Sequence, residues 1–147
     1  MRFWDASAMV PLCVIEAMSP VITRLLKEDE AMVVWWGSRV ELVSALARRH
    51  RAGALDSTAL GKAIAVLDSM AGKWSEIQPV SVVRDAAERL LRVHPLRAAD
   101  ALQVAAALLW SGPSPRGHVL ICLDRNMRNA AEKEGFTVLP PSDRIPS

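Results

Sequence analysis

Short apolar runs of strand length alternate with helical patterns along this chain of 147 residues. The run at residues 31–36, AMVVWW, has no polar residue, and shorter apolar runs lie within 1–5, 118–124 and 136–139. An uninterrupted apolar run is typical of a strand that is covered on both faces. The alternation predicts an α/β fold with a parallel sheet, with extra helices between the second and third strands.

Capping and helix-breaking residues indicate where the helices begin and end. Ser19-Pro20 is a typical helix start, Asp56 or Ser57 is a candidate N-cap, and Gly135 is a candidate stop. The segment WSEIQPVS at 74–81 is a weaker strand candidate. We expect helices at 6–18, 19–30, 38–53, 55–72, 82–93, 96–110 and 125–134.

Length and composition favour one globular domain that spans residues 1–147. Hydrophobic residues make up 51% of the chain and charged residues 23%, which argues against disorder. No repeat, linker or low-complexity segment divides the sequence. The formal net charge of +2 neither demands nor excludes a nucleic-acid partner, because phosphate contacts depend on where the positive charge clusters.

The two cysteines, Cys13 and Cys122, have none of the paired spacings of a zinc site or a disulfide framework. A reducing cytoplasm is therefore the expected compartment. The N-terminal segment is a poor signal peptide, because Asp5, Pro11 and Glu16 interrupt its apolar run. No stretch is apolar over the roughly 18 residues that a membrane span requires, so we expect a soluble protein without a membrane partner.

Asp100 occupies an unexpected position in the stretch LRAADALQVAAALLW at 96–110. Between Ala98 and Trp110 only Asp100 and Gln103 are polar, so the carboxylate lies in an apparently buried helix. A buried carboxylate costs several kcal/mol unless it is paired, protonated or bound to a metal. Arg97 is the one charged neighbour at helical spacing, and a pair with Arg97 is the structural alternative to a functional site.

Two further acids, Asp5 and Asp124, follow apolar strand candidates directly. Ligands of parallel α/β sheets bind at the carboxyl ends of the strands, where both residues are expected. Each has a structural alternative, because Asp is also a favoured helix N-cap. Arg128, four residues after Asp124, is a candidate surface ion-pair partner.

Glu41 has no neighbour that neutralises its charge. The residues three and four positions away along the predicted helix are Gly37, Ser38, Ser44 and Ala45. The alternative to a functional role is an outward position on the polar face of that helix.

If the four carboxylates converge, they need a counter-charge, because like charges raise one another's pKa and drive protonation. Oxygen-only ligands favour Mg²⁺ or Mn²⁺ over zinc. The histidines, His50, His94 and His118, lack metal-ligand spacing and are expected on the surface or in loops.

Four motifs together resemble the PIN-domain family, specifically the VapC-type toxin ribonucleases of type II toxin-antitoxin systems. They are FWDASAMVPL at 3–12, SRVELVSALAR at 38–48, LRAADALQVAAAL at 96–108 and LICLDRNMRNAAEKEGFTVL at 120–139. They occur in the family's order and cover nearly the whole chain. The resemblance implies a single PIN domain, a three-layer α/β/α sandwich around a central parallel sheet of four to five strands.

The resemblance also implies a site and a reaction. Asp5, Glu41, Asp100 and Asp124 would be both the catalytic residues and the ligands of Mg²⁺ or Mn²⁺ in an acidic pocket. The implied reaction is endonucleolytic hydrolysis of a phosphodiester in single-stranded or structured RNA.

Three further positions carry over with smaller roles. Ser7 matches the family's hydroxyl two residues after the first acid and would help to shape the pocket. Cys122 stands where the family usually has Thr or Ser, two residues before the fourth acid, a departure that bears on a supporting hydrogen bond and not on the carboxylates. Gln103 stands where many relatives have His, and we do not expect it to be catalytic.

The implied partners are RNA, a cognate antitoxin and a second copy of the chain in a homodimer. Arg48, Arg49 and Arg51 are candidate phosphate contacts at the end of the Glu41 helix, although the simpler interpretation is a solvated basic helix end. Trp35 and Trp36 are candidates for base stacking, although at least one of them should belong to the core.

Two other functions remain open from the sequence. One is a PIN-domain nuclease that acts in RNA processing without an antitoxin. The other is a receiver-like signalling domain, which also gathers aspartates at strand ends. The receiver alternative gives no reason for Glu41 and Asp100 to be placed on helices, and the lysine expected near the last strand is not evident.

Overall fold

Five short strands form the centre of the protein, whose computed structural model describes all residues from 1 to 147. The strands are β1 (Arg2–Trp4), β2 (Met32–Trp35), β3 (Ser75–Ile77), β4 (Val119–Ile121) and β5 (Thr137–Leu139). All neighbouring strands pair in parallel, in the order β3-β2-β1-β4-β5. The predicted parallel sheet is confirmed, and the weak strand candidate at 74–81 supplies an edge strand.

Seven helices connect the strands. They are α1 (Ala6–Cys13), α2 (Ser19–Glu28), α3 (Ser38–Arg51), α4 (Ser57–Ala71), α5 (Ser81–Val93), α6 (Ala98–Ser111) and α7 (Arg125–Glu134). Two helices lie between β2 and β3, as predicted. The first helix is shorter than the expected 6–18, because it ends at Cys13 and the chain becomes extended at Val14. A short 3₁₀ turn at Ser142–Arg144 follows the last strand.

The alternation of side chains along the strands produces one apolar core on each face of the sheet. Phe3 and Leu120 pack with residues of α5, α6 and α7. The adjacent residues Trp4 and Ile121 pack on the other face with residues of α1, α2, α3 and α4. Helical layers on both faces explain the uninterrupted apolar strands, and they confirm the three-layer α/β/α arrangement.

The strand order reverses direction between β1 and β4. The chain leaves β1 for β2 on one side and later returns to place β4 on the other side of β1. At such a switch point the connections diverge and leave a crevice beyond the carboxyl ends of the two strands. Asp5 follows β1 and Asp124 follows β4 after two intervening residues, so the topology brings both acids to this crevice.

His94 lies in the loop that follows α5, as expected, but it is buried. The residue is 7% exposed, and its Nε2 atom lies 2.7 Å from Oε2 of Glu134. Arg89 donates to the other oxygen of the same carboxylate at 2.6 Å. The cluster joins the end of α5 to the end of α7, contacts that no local pattern in the sequence reveals.

None of the helices is both long enough and apolar enough to cross a membrane.

Candidate active site

A cleft of about 710 Å³ opens at the carboxyl ends of the central strands, and all four predicted acids line it. They come from four separate parts of the fold. Asp5 lies between β1 and α1, and Asp124 precedes α7. Glu41 and Asp100 occupy the first turns of α3 and α6. The structure therefore brings together residues that are as much as 119 positions apart in sequence.

Asp5 both caps a helix and faces the cleft. Its Oδ2 atom accepts a hydrogen bond from the Ser7 backbone N–H at 3.0 Å and another from the Ser7 hydroxyl. Burial raises the pKa of Asp5 from 3.8 to about 6, and the nearby charge of Asp100 adds to the effect, against the Ser7 hydrogen bonds. The N-cap alternative is thus correct for Asp5, and it does not compete with a place in the site.

Ser7 has the supporting position that the resemblance implied. Besides donating to Asp5, its hydroxyl oxygen accepts the backbone N–H of Leu123 at 3.0 Å. It therefore links the start of α1 to the segment that follows β4. This bridge fixes the separation of the two strand ends from which Asp5 and Asp124 emerge.

Cys122 occupies the position where a hydroxyl was expected, and its thiol keeps similar contacts. Its Sγ atom lies 3.6 Å from Oδ2 of Asp5 and 3.6 Å from the backbone oxygen of Asp124. Burial and the neighbouring Asp5 charge raise the pKa of Cys122 well above its usual range. The thiol therefore stays protonated and donates a hydrogen bond that is weaker than one from a hydroxyl.

Glu41 points into the cleft and not to solvent. Its Oε2 atom accepts a hydrogen bond from Nε2 of Gln103 at 2.9 Å. Burial raises the pKa of Glu41 from 4.5 to about 7, opposed by the Gln103 hydrogen bond and increased by the charges of Asp5 and Asp100. The carboxylate is held at one oxygen by a neutral donor and carries no compensating cation.

Asp100 is half-buried at the edge of its apolar helix and lines the cleft. Burial raises its pKa and the Asp124 carboxylate raises it further, while Arg97 acts in the opposite direction. Arg97 also lines the cleft, but it forms no salt bridge with Asp100. The structural alternative of a buried Asp100–Arg97 pair is therefore wrong.

Asp124 is exposed and caps α7, with its Oδ1 atom accepting the Met127 N–H at 2.9 Å. The candidate ion pair with Arg128 does not form. Arg128 is buried, and its guanidinium donates to the backbone oxygens of Cys122 at 2.6 Å and Pro140 at 2.7 Å. It binds the ends of β4 and β5 together, which directs its charge away from the Asp124 carboxylate.

The donor set of the cleft fits a hard divalent cation. Its acids supply carboxylate oxygens, Ser7 and Asn126 add neutral oxygens, and none of the lining residues is His or Cys. None of the four acids takes part in a salt bridge. No three His, Cys, Asp or Glu side chains lie close enough together to surround a metal ion as they stand. The acids thus share one cleft without being closed around a single point.

Two curated ribonucleases match this chain over nearly its whole length. Ribonuclease VapC45 of Mycobacterium tuberculosis (strain CDC 1551 / Oshkosh) is 30% identical over 141 residues, which cover 94% of each chain. Ribonuclease VapC49 of the strain ATCC 25618 / H37Rv matches with the same identity and coverage. The chain belongs to the VapC ribonuclease family. This membership favours a nuclease over a receiver-like signalling domain.

Solved structures agree with the VapC assignment at the level of the fold. PAE2754 from Pyrobaculum aerophilum has a TM-score of 0.65 at 21% identity and covers 92% of this chain and 81% of its own. FitAcB from Neisseria gonorrhoeae has a TM-score of 0.66 at 15% identity, over 96% of this chain and 98% of its own. No protein-family model matches the chain.

The three predicted phosphate contacts of this VapC-family chain do not all reach the cleft. Arg48 lines the cleft, and so does Arg97, which the sequence presented only as a partner for Asp100. Arg49 pairs with Glu16 at 2.6 Å, and Arg51 is exposed outside the cleft lining. Arg48 is thus the one predicted phosphate contact that the fold brings to the acids.

Tryptophan and asparagine side chains complete the surroundings of the site. Trp35 is buried, as expected for one member of the pair, whereas Trp36 is 51% exposed. Base stacking by Trp36 stays a prediction. Asn126 lines the cleft and was missed from the sequence; its place two residues after Asp124, in the first turn of α7, is the signal that points to it.

Proposed function

We propose that this chain is a Mg²⁺- or Mn²⁺-dependent endoribonuclease that cleaves single-stranded or structured RNA, the toxin of a VapBC-type pair. The observation that carries the proposal is the single cleft that Asp5, Glu41, Asp100 and Asp124 line, none of them in a salt bridge. The names of the two VapC relatives supply the reaction class. The oxygen-only donor set supports the metal, because four gathered carboxylates require a counter-charge to stay ionised together.

Asp5, Glu41, Asp100 and Asp124 would hold the metal. When bound, a divalent ion supplies a Lewis acid that polarises the phosphoryl oxygen and makes a water molecule more acidic. Asp100 or Glu41 orients the attacking water and accepts its proton as the new phosphorus–oxygen bond forms and the bond to the leaving oxygen breaks. Ser7 holds Asp5 in place during this step.

The metal requirement is tested with purified protein that has been treated with a chelator. We expect no cleavage of a labelled single-stranded RNA by the treated protein, and recovery of cleavage when Mg²⁺ or Mn²⁺ is added. Ca²⁺, which prefers looser coordination, serves as the comparison ion. Full cleavage in excess chelator would contradict the metal-dependent reaction and leave only the family assignment.

Arg48 and Arg97 are proposed to bind the RNA backbone, because they are the two cations that line the acidic cleft. Replacing either residue with Ala should raise KM for RNA. It should also make the slope of log association constant against log salt concentration shallower by about 0.7, the value for one lost phosphate contact on a single strand. RNA affinity measured by fluorescence anisotropy at several salt concentrations checks this.

Two other arginines serve as comparisons for this experiment. Arg84→Ala changes an exposed residue of α5 that lies outside the cleft lining, and it should leave the slope unchanged. Arg51→Ala shows whether the RNA path continues beyond the cleft. Equal slopes for Arg48→Ala, Arg97→Ala and wild type would contradict the proposed backbone contacts.

A cognate antitoxin and a homodimer complete the proposal. An antitoxin Arg or Lys placed among the four acids would compete directly with the metal. Light scattering should give the mass of two copies for the chain alone and a larger mass with the antitoxin. A monomer that the product of a neighbouring reading frame neither binds nor inhibits would contradict both parts.

A further inference from the structure

A buried amide connects the two helices that carry Glu41 and Asp100. Gln103 lies on α6 and is 0% exposed. Its Nε2 atom is 2.9 Å from Oε2 of Glu41 and 2.9 Å from the Ser38 hydroxyl oxygen. The same Ser38 hydroxyl lies 3.2 Å from Oε1 of Gln103. Every polar atom of this side chain therefore contacts α3.

The hydrogen-bond chemistry fixes which end of the amide faces Glu41. A Ser hydroxyl has one proton, and Ser38 donates it to Oε1 of Gln103. The NH₂ group is then directed to the Ser38 oxygen and to the Glu41 carboxylate. A flipped amide would place its carbonyl oxygen against the carboxylate, two acceptors without a proton between them.

Ser38 is committed to this contact and not to helix capping. Ser is a favoured N-cap, but here it is the first residue of α3. The N-cap is Gly37, which provides no side-chain hydrogen bond. A Cβ atom at position 37 would lie 2.5 Å from Nε1 of Trp35, so a capping side chain has no room there. The helix thus starts uncapped, while the adjacent hydroxyl binds Gln103.

We propose that Gln103 is a positioning residue for Glu41, and that Ser38 orients Gln103 in turn. Donation to Oε2 fixes the rotamer of the Glu41 side chain and leaves Oε1 as the oxygen that is available to the cleft. The role extends the proposed nuclease function and rests on it. It also gives the second polar residue of the apolar α6 stretch a reason to be buried beside Asp100.

The test compares two replacements that keep the size of the side chain. Gln103→Met removes the donor, and Gln103→His restores a ring N–H. We expect Gln103→Met to lower kcat and the affinity for Mn²⁺ alone, measured by calorimetry, by roughly 10- to 100-fold, with KM for RNA near that of wild type. Gln103→His should recover part of both losses.

A double-mutant cycle tests the role of Ser38. Ser38→Ala should lower kcat and Mn²⁺ affinity less than Gln103→Met does, and the double variant should be no worse than Gln103→Met alone. Ser111→Ala is the matched control. It removes a buried hydroxyl at the far end of α6, whose only hydrogen bond goes to the Leu108 oxygen, and it should leave kcat and Mn²⁺ affinity unchanged.

Each outcome decides the proposal. A Gln103→Met variant with wild-type kcat and Mn²⁺ affinity would overturn the positioning role. The nuclease function would still stand in that case, because both proteins would cleave RNA. If Gln103→Met does not fold, Ser38→Ala carries the test, and unchanged values for that variant overturn the proposal. A wild-type protein that neither cleaves RNA nor binds Mn²⁺ would refute the nuclease function and the positioning role together.

Discussion

Replacement of Asp100 by Asn is expected to lower RNA cleavage by at least about 100-fold while the protein remains folded. The substitution keeps the size of the side chain but removes its charge and its ability to accept a proton. Asp100 makes no salt bridge whose loss would destabilise the fold. It is also only half-buried, so an uncharged amide finds water at this position.

The measurement is the single-turnover rate of cleavage, with circular dichroism as the check on folding. Asp85→Asn is the matched control, because Asp85 is an exposed acid of α5 that lies outside the cleft. Sequencing of RNA ends after brief induction, with Asp100→Asn as the comparison, would also locate the cleavage sites. A wild-type rate for Asp100→Asn would show that this carboxylate takes no part in the chemistry.

Replacement of Asp5 by Asn should make the metal-free protein more stable at neutral pH, even though it abolishes cleavage. A pKa raised from 3.8 to about 6 by burial corresponds to a penalty of about 3 kcal/mol once the carboxyl is ionised. Asn is as good an N-cap as Asp. The variant therefore loses the penalty and keeps the cap.

The pH range of this effect follows from the direction of the pKa change. Well below about pH 4 the Asp5 carboxyl is protonated in both states and there is no penalty. Between about pH 4 and the folded-state pKa of about 6, the unfolded chain binds fewer protons than the folded one. The unfolding free energy of the wild type therefore falls as pH rises through this range. Burial raises the pKa of Glu41 to about 7. The unfolding free energy therefore continues to fall with rising pH up to about that value.

Urea unfolding from pH 4 to pH 8, without metal, measures the difference in unfolding free energy between Asp5→Asn and wild type. This difference should increase with rising pH, and added Mg²⁺ should reduce it by stabilising only the wild type. Asp56→Asn is the matched control, because Asp56 caps α4 through the Ala59 N–H on an exposed helix end. A constant difference at all pH values would mean that Asp5 is no more than a cap.

The sequence was sufficient to single out the four acids that line the cleft, because each carries a local signal. Asp5 and Asp124 follow apolar strands, Glu41 lacks a neutralising neighbour on its helix, and Asp100 interrupts an apolar helix. The role of Gln103 was not evident, because its partner Glu41 is 62 residues away and the pairing depends on how α3 approaches α6. The burial of Arg128 was hidden for the same reason, since its acceptors are backbone oxygens that carry no sequence signal.

The placement of all four acids at helix starts has an electrostatic consequence. Asp5 and Asp124 cap α1 and α7, and Glu41 and Asp100 lie in the first turns of α3 and α6. The positive ends of four helix dipoles therefore meet the negative charge of the cleft, each contributing roughly 0.3–1 kcal/mol. This field belongs to the backbone, so no single side-chain replacement removes it. It offsets part of the repulsion between the four carboxylates in the metal-free protein, while their pKa values stay raised.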